Sequence, residues 1–394
     1  MFKRIFVIVL ILLMFCTGAM SESGVNLGAD GYDVLTYACT LPDGRIVFCG
    51  SRGNVGDYNT SRARLLCLNP DFSVSWEYFS SEDGMPRYTW GALLPDGTIG
   101  VVCTNAPYQE LQSLDIRKFT QDGTPVGEPV DINDDNGSFD PVNPLCIPKT
   151  VTLDDGSEKL GFLDWNGQIL FTLGRKDTIW LWATIAADDG LVLAGGEPGP
   201  VGNAKLMKVD LTGNTVWETV LPMMTSFGTS ARIGNCIRTS DGGYLAFVLE
   251  SGPASGNGEY QWAYGLVRFN EDGRVLWTNT DSFSEWHYGC RDLIEYDGKF
   301  VFAEGNYMDV SEKQPRVFHW FDDQGHKLGE TSLLIPRQDA HPASDGDLIE
   351  IFSGRMFVTE NGLWSLFDLR ITDEQDIRKE MDTVDELLYR IPEL

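Results

Sequence analysis

Arg87, Arg232 and Arg291 each stand a similar short distance ahead of an Asp-Gly pair, and large aromatic residues gather in the same stretches. Trp90 follows Arg87, Trp182 and Trp262 fall in corresponding places, and Trp286, His287 and Tyr288 precede Arg291. A guanidinium presents paired N–H groups to a carboxylate, and an indole offers a wide apolar face with one polar edge. Brought together, these nine residues would line a funnel suited to a glycan or to a peptide carboxylate. The alternative use of the same residues is structural. The rings would then pack between elements and each arginine would pair with one of the chain's 58 acids.

Constellations for catalysis or metal binding are sparse. Asp292 and Glu295 near His287, or Asp339 with His341 and Asp345, are the only neighbours that could do acid–base work, and a chain this acidic makes such neighbours by chance. Residues 131–140, DINDDNGSFD, resemble a calcium loop, but the glycine falls one position late and no glutamate closes the loop, so a solvated acidic loop is the reading. There is no Gly-x-Ser-x-Gly, phosphate-binding loop, zinc-protease motif or Cys-x-x-Cys. No catalytic residue, metal ligand or cofactor is therefore assigned.

The elements that would position the aromatic and cationic residues are read from repetition. An apolar strand runs into an Asp-Gly turn and out into a second strand at Asp43-Gly44, Asp96-Gly97, Asp155-Gly156, Asp189-Gly190, Asp241-Gly242 and Asp297-Gly298, with Ser353-Gly354 as a degenerate last copy. The period is roughly 50 residues. A second hairpin follows each first one, as in VDLTGNTVW ending at Trp217 and FNEDGRVLW ending at Trp277. Two hairpins per period make a four-stranded antiparallel blade. Seven markers then predict an all-β, seven-bladed β-propeller, with six or eight blades left open because the third copy is short.

The last copy supplies only three strands by this reading, and residues 25–35 are free to complete it, which closes the ring and removes an exposed edge. Beyond it, Thr372 and Gln375 have capping-box spacing, and Ile377, Met381, Val384, Leu388 and Ile391 form one apolar stripe, so a short C-terminal helix is expected over 372–394. The Asp-Gly turns are tight and share one face. The loops between hairpins and between blades are long and lie on the other face, where loops longer than turning requires tend to carry function.

The outer hairpin pattern Asp-x-x-Gly-x-x-x-Trp and the inner turn Asp241-Gly242-Gly243-Tyr244 resemble bacterial secreted β-propeller repeats of the quinoprotein-like superfamily. The resemblance spans nearly all of residues 22–371. It implies that Trp76, Trp217 and Trp277 dock against the neighbouring blade. It also implies a group containing quinone-dependent dehydrogenases, assembly scaffolds and binding proteins. The dehydrogenases carry adjacent cysteines and a calcium site beneath the quinone, and no two cysteines are adjacent here.

The address is written at the N-terminus. Lys3 and Arg4 precede an apolar run over 5–16 and then small residues, which reads as a signal peptide over 1–21 cleaved after Ala19 or Ser21. The run is shorter than the ~20 residues that cross a bilayer. Cys16 lacks the small residue before it that lipoprotein processing needs, because Phe15 stands there. A net charge of −28 argues against binding nucleic acid or anionic lipid. The remaining cysteines, odd in number and scattered, predict small buried side chains rather than a disulfide framework. The expectation is a secreted or envelope-associated, non-enzymatic binding or scaffold propeller whose partner is a glycan or a protein. The alternative is an extracellular carbohydrate-active hydrolase or lyase.

Overall fold

The computed structural model describes residues 24–27, 32–54, 57–81, 86–105, 113–132, 143–153, 155–174, 179–198, 201–226, 228–253, 260–279, 290–304, 316–335, 348–372 and 383–394. Among them there are strands and turns and no helix. Blades 1 to 6 span residues 32–79, 86–131, 147–173, 180–221, 230–279 and 290–333, each an antiparallel sheet in sequence order. Blade 7 spans 348–390. The first strands of successive blades approach one another from blade 4 through blades 5, 6, 7 and 1 to blade 2, which makes them the innermost strands of a ring.

Burial explains why the ring closes at seven. Seven apolar clusters fill the molecule, and each is shared by two consecutive blades. The cluster of Leu35, Phe48 and Leu66 with Phe357, Leu366 and Leu388 joins blade 7 back to blade 1. An inner blade is thus covered on both faces, and its strands read as continuous apolar runs. Gly190–Gly196, sequence GLVLAGG, is buried at every position.

One turn geometry serves nearly every hairpin. In ten described turns the first residue donates to the carbonyl four residues on, and the fourth residue donates back to the first, as in Leu41 N to Arg45 O (2.7 Å) and Gly44 N to Leu41 O (2.9 Å). The fourth position needs positive φ, and in nine of the ten it is glycine. Blade 1's outer turn has Phe72 there, at φ 63°, with its ring against Trp364 of blade 7 (centroids 4.3 Å apart). In four other blades the outer-turn glycine receives an aromatic from the preceding blade, while Gly167 of blade 3 receives Val130 and Ile132. Trp76 covers Gly123, Phe171 covers Gly213, Trp217 covers Gly273 and Trp277 covers Gly325, so a Cβ on any of these glycines would collide with a ring. Trp76 and Trp277 also donate Nε1–H to the turn carbonyls of Gln121 (3.0 Å) and Asp323 (2.8 Å). These tryptophans are packing residues, as the repeats implied.

Three expectations need correction. The C-terminal segment is not helical where it is described: Thr383–Arg390 is a strand, antiparallel to Gly362–Thr372. Its Leu387, Leu388 and Tyr389 are buried, as is Ile391 beyond it, and strand pairing outweighs the helical spacing of the apolar residues. Residues 373–382 lie outside the described residues. Second, Ser353-Gly354 is not a turn. It interrupts the register inside the single strand Leu348–Thr359, and the hairpin turns at Glu360-Asn361, where Thr359 pairs with Gly362. Third, the N-terminal contribution to blade 7 is two residues: Val25–Asn26 pairs antiparallel with Leu387 and Leu388, while Tyr32–Thr40 is the first strand of blade 1 and meets Val384 in parallel. Both ends of the chain therefore close the ring.

Blade 3 has three strands among the described residues, Ile147–Thr152, Glu158–Leu163 and Ile169–Leu173. Its two turns, 153–157 and 164–168, leave opposite ends of the middle strand. The first has the inner-turn bonding, Asp155 Oδ1 accepting from Ser157 N, and the second the outer-turn bonding, Asp164 Oδ1 accepting from Gln168 N. A blade with one strand between the two turn types has no room for the long loop seen elsewhere.

Candidate functional site in the central channel

Six of the seven innermost strands carry a register irregularity a few residues before the inner turn. It falls between Tyr37 and Cys39, Tyr88 and Trp90, Leu181 and Ala183, Ile233 and Asn235, Cys290 and Asp292, and Ser353 and Met356. Blade 3's Ile147–Thr152 is regular. The extra residue of a bulge is unpaired and its side chain is re-aimed, which is why bulges cluster at functional sites. Here the extra residues are Ala38, Thr89, Trp182, Gly234, Arg291 and the pair Gly354-Arg355.

Two arginine–tryptophan pairs form at these irregularities. The guanidinium carbon of Arg232 lies 4.3 Å from the centre of the Trp182 ring, joining blades 5 and 4. That of Arg355 lies 4.9 Å from the Trp90 ring and joins blade 7 to blade 2 across blade 1. Blade 1 presents only Ala38 at this level, where a Cβ on Gly91 would sit 2.8 Å from its methyl group. Each contact is worth about 0.5–2 kcal/mol, more as water is excluded.

Asp292 completes the cluster. Its Oδ1 accepts from Leu293 N (2.9 Å), its Oδ2 accepts from Met356 N in blade 7, and the Asn235 side chain of blade 5 also bonds it. Burial pushes the carboxyl up to about 6, and the Arg355 charge together with these bonds limits the rise. Burial also lowers the pKa of Arg232.

Most of the described arginines outside this region touch a carboxylate. Arg45, Arg52, Arg64, Arg117, Arg238, Arg268 and Arg390 each form a close ion pair with a carboxylate. Among the described residues Arg87, Arg232 and Arg355 form none.

Of the nine residues expected at the site, the structure brings Trp182 and Arg232 into contact. It places Trp90 against Arg355 and leaves Arg87 exposed near the start of its inner strand. Arg291 occupies the bulge of blade 6. Trp262 lies near the start of the third strand of blade 5, paired with Ser251 at the long-loop end. Trp286, His287 and Tyr288 lie outside the described residues, as do Asp339, His341, Asp345 and most of the calcium-like loop. Asp292 and Glu295 do not converge, because Glu295 turns away to accept from Ser240 N and Oγ, both at 2.6 Å. Among the described residues no group of three metal-ligating side chains occurs.

Arg355 and Asn235 were not singled out from the sequence. The signal that could have found Arg355 is Asn361-Gly362, a stronger hairpin pair than Ser353-Gly354, which moves the turn and leaves Arg355 on an inner strand. The cysteines follow expectation. Cys39, Cys49, Cys67, Cys103, Cys146 and Cys236 are buried and unbridged, with burial pushing Cys39, Cys49 and Cys146 up to about 12.

No known protein family and no curated protein matches the chain. Among solved structures it is similar to the β-propeller domain of the Trilobed protease from Pyrococcus furiosus, at 12% identity over 88% of this chain and 96% of that one, with TM-score 0.45. It is similar also to the GH93 alpha-L-arabinofuranosidase of Fusarium graminearum in complex with arabinobiose, at 10% identity over 93% and 97%, TM-score 0.46. A third is the Dos1 propeller, at 9% identity over 94% and 97%, TM-score 0.43. The fold stands on the chain's own strand order and its seven shared cores.

Proposed function

We propose that this chain is an exported, non-enzymatic binding propeller that takes a glycan or an extended protein segment at the connector end of its central channel. The observation that carries this reading is the pair of arginine–tryptophan contacts at the inner-strand bulges, where Arg232 forms no close ion pair among the described residues. An exposed indole beside an unpaired guanidinium is expensive to maintain for packing alone, and it suits a ligand that is part apolar face and part acceptor. Export rests on the basic, apolar and small-residue succession over 3–21. Among the described residues no helix is long and apolar enough to cross a membrane. A glycan and peptide array probed with the mature chain tests the reading. Binding that W182A or R232Q removes is expected, and binding indifferent to both would sink it.

A second reading has one observation in its favour. Asp292, with its carboxyl raised to about 6 in the channel, resembles the general acid of a glycan-cleaving enzyme. Product formation from the array glycans, abolished in D292N, would establish it.

A further inference from the structure

We infer that the channel binds an acidic oligosaccharide, one carrying a carboxylate on successive sugar rings, with Arg232 and Arg355 as its two anchors. This rests on the binding reading above and names its ligand class. Three observations converge on it.

The first is the distribution of charge. In a chain of net charge −28, seven described arginines find a carboxylate, while Arg232, on an innermost strand, does not. Arg232 is half-buried, so its charge is partly desolvated with no counter-charge from the described protein. A buried charge left without an opposite partner is costly, and a bound anion removes that cost.

The second is geometry. Each guanidinium lies over an indole, which restrains its position and leaves N–H groups free to meet an acceptor. A fixed fork selects a carboxylate, which it can hold by two parallel hydrogen bonds. Trp182 keeps 42% of its surface exposed, enough indole for the C–H face of a sugar ring to stack beside that carboxylate.

The third is spacing. Asp292 bridges Asn235 to the backbone of Met356, next to Arg355, and Arg232 precedes Asn235 on the same strand. Three strand residues span roughly 10 Å. The two anchors lean on tryptophans of different blades, Trp182 of blade 4 and Trp90 of blade 2, so a ligand with a repeating carboxylate is the kind that addresses both. A peptide with a single terminal carboxylate can satisfy one.

The test is calorimetric binding by the mature chain of three tetrasaccharides: galacturonate, mannuronate and hyaluronan. The controls are the carboxyl-reduced form of each and an aspartate-rich tetrapeptide. At least one acidic tetrasaccharide is expected to bind, its reduced form on the order of tenfold more weakly or worse. R232Q and R355Q should each weaken it by a similar factor, with R62Q, an exposed arginine of blade 1, unchanged. Because Arg355 also offsets Asp292, melting temperatures are recorded for both variants, and R232Q decides if R355Q is poorly folded. If reduced and acidic forms bind alike, the anionic inference falls while the glycan reading stands. Preference for the peptide overturns it in favour of a protein ligand. If none of the three acidic probes binds, the inference fails, and array binding to another compound would show that the broader reading survives.

Discussion

Arg64 is 4% exposed and divides its guanidinium among Asp33 (3.0 Å), Glu77 (2.7 Å) and the carbonyl of Leu27 (3.3 Å). It therefore ties blade 1 to the N-terminal segment. Removing it takes the nearer guanidinium from the fully buried Asp33 carboxylate, whose ion pair with Arg52 is longer, at 3.6 Å. Arg64→Ala is expected to cost about 3–5 kcal/mol, read by urea unfolding at neutral pH. Asp292 makes a prediction of different sign. Its carboxyl titrates near 6 in the fold against 3.8 ordinarily, so between those values the folded chain holds a proton that the unfolded chain has released. This group's contribution to stability is complete below about pH 4, falls as pH rises to about 6, and is level above. The difference between wild type and D292N, followed from pH 4 to 7, should show that slope, and a flat difference would contradict it. Binding of an anion beside Arg355 should likewise weaken as Asp292 ionises.

At the scale of the element, the recurring joint is an aromatic from one blade's outer strand laid on the turn glycine of the next. Trp217 on Gly273 is representative: the indole also meets Tyr244 at 6.0 Å and packs against the core between blades 4 and 5. Trp217→Ala should cost about 3 kcal/mol, because it opens a cavity between two sheets. Trp182→Ala, on an exposed bulge, should cost about 1 kcal/mol or less, the worth of its contact with Arg232, while weakening ligand binding. Thermal melts of the two variants side by side separate joint from site. Equal destabilisation would mean that Trp182 is packing too.

For the whole molecule the decisive feature is closure. Blade 7 is completed by Thr383–Arg390 from one end of the chain and Val25–Asn26 from the other. Deleting residues 383–394 withdraws Leu387, Leu388, Tyr389 and Ile391 from two of the seven cores and exposes an edge of Gly362–Thr372. Loss of a single cooperative unfolding transition is expected, checked by calorimetry. Among the described residues, deleting those before 28 removes the two-residue outer strand and the Leu27 contacts, so the transition should survive at lower temperature. The reverse ranking would place closure at the N-terminus instead.

The docking role of Trp76, Trp217 and Trp277 came from the resemblance of their repeats to known ones, while the sequence by itself determined the all-β class, the repeat and the tight turns. These are legible because they are local: an Asp-Gly pair between apolar runs specifies its hairpin wherever it stands, and a period repeats the lesson. It also pointed to Trp182 and Arg232, since equal spacing before equal turns puts residues at equal levels of the ring. Tertiary structure alone decided the rest. Residues 383–390 have helical apolar spacing yet lie in a strand, because the open edge of Gly362–Thr372 offers hydrogen bonds and burial that an isolated stripe cannot match. Arg355 meets Trp90, although the two are far apart in the chain, because blade 1 between them presents only Ala38 at that level. Asp292 is bonded from two neighbouring blades, a property no spacing within its own blade encodes. Contacts between blades depend on which side chains the ring leaves room for, and that is known only once the ring has closed.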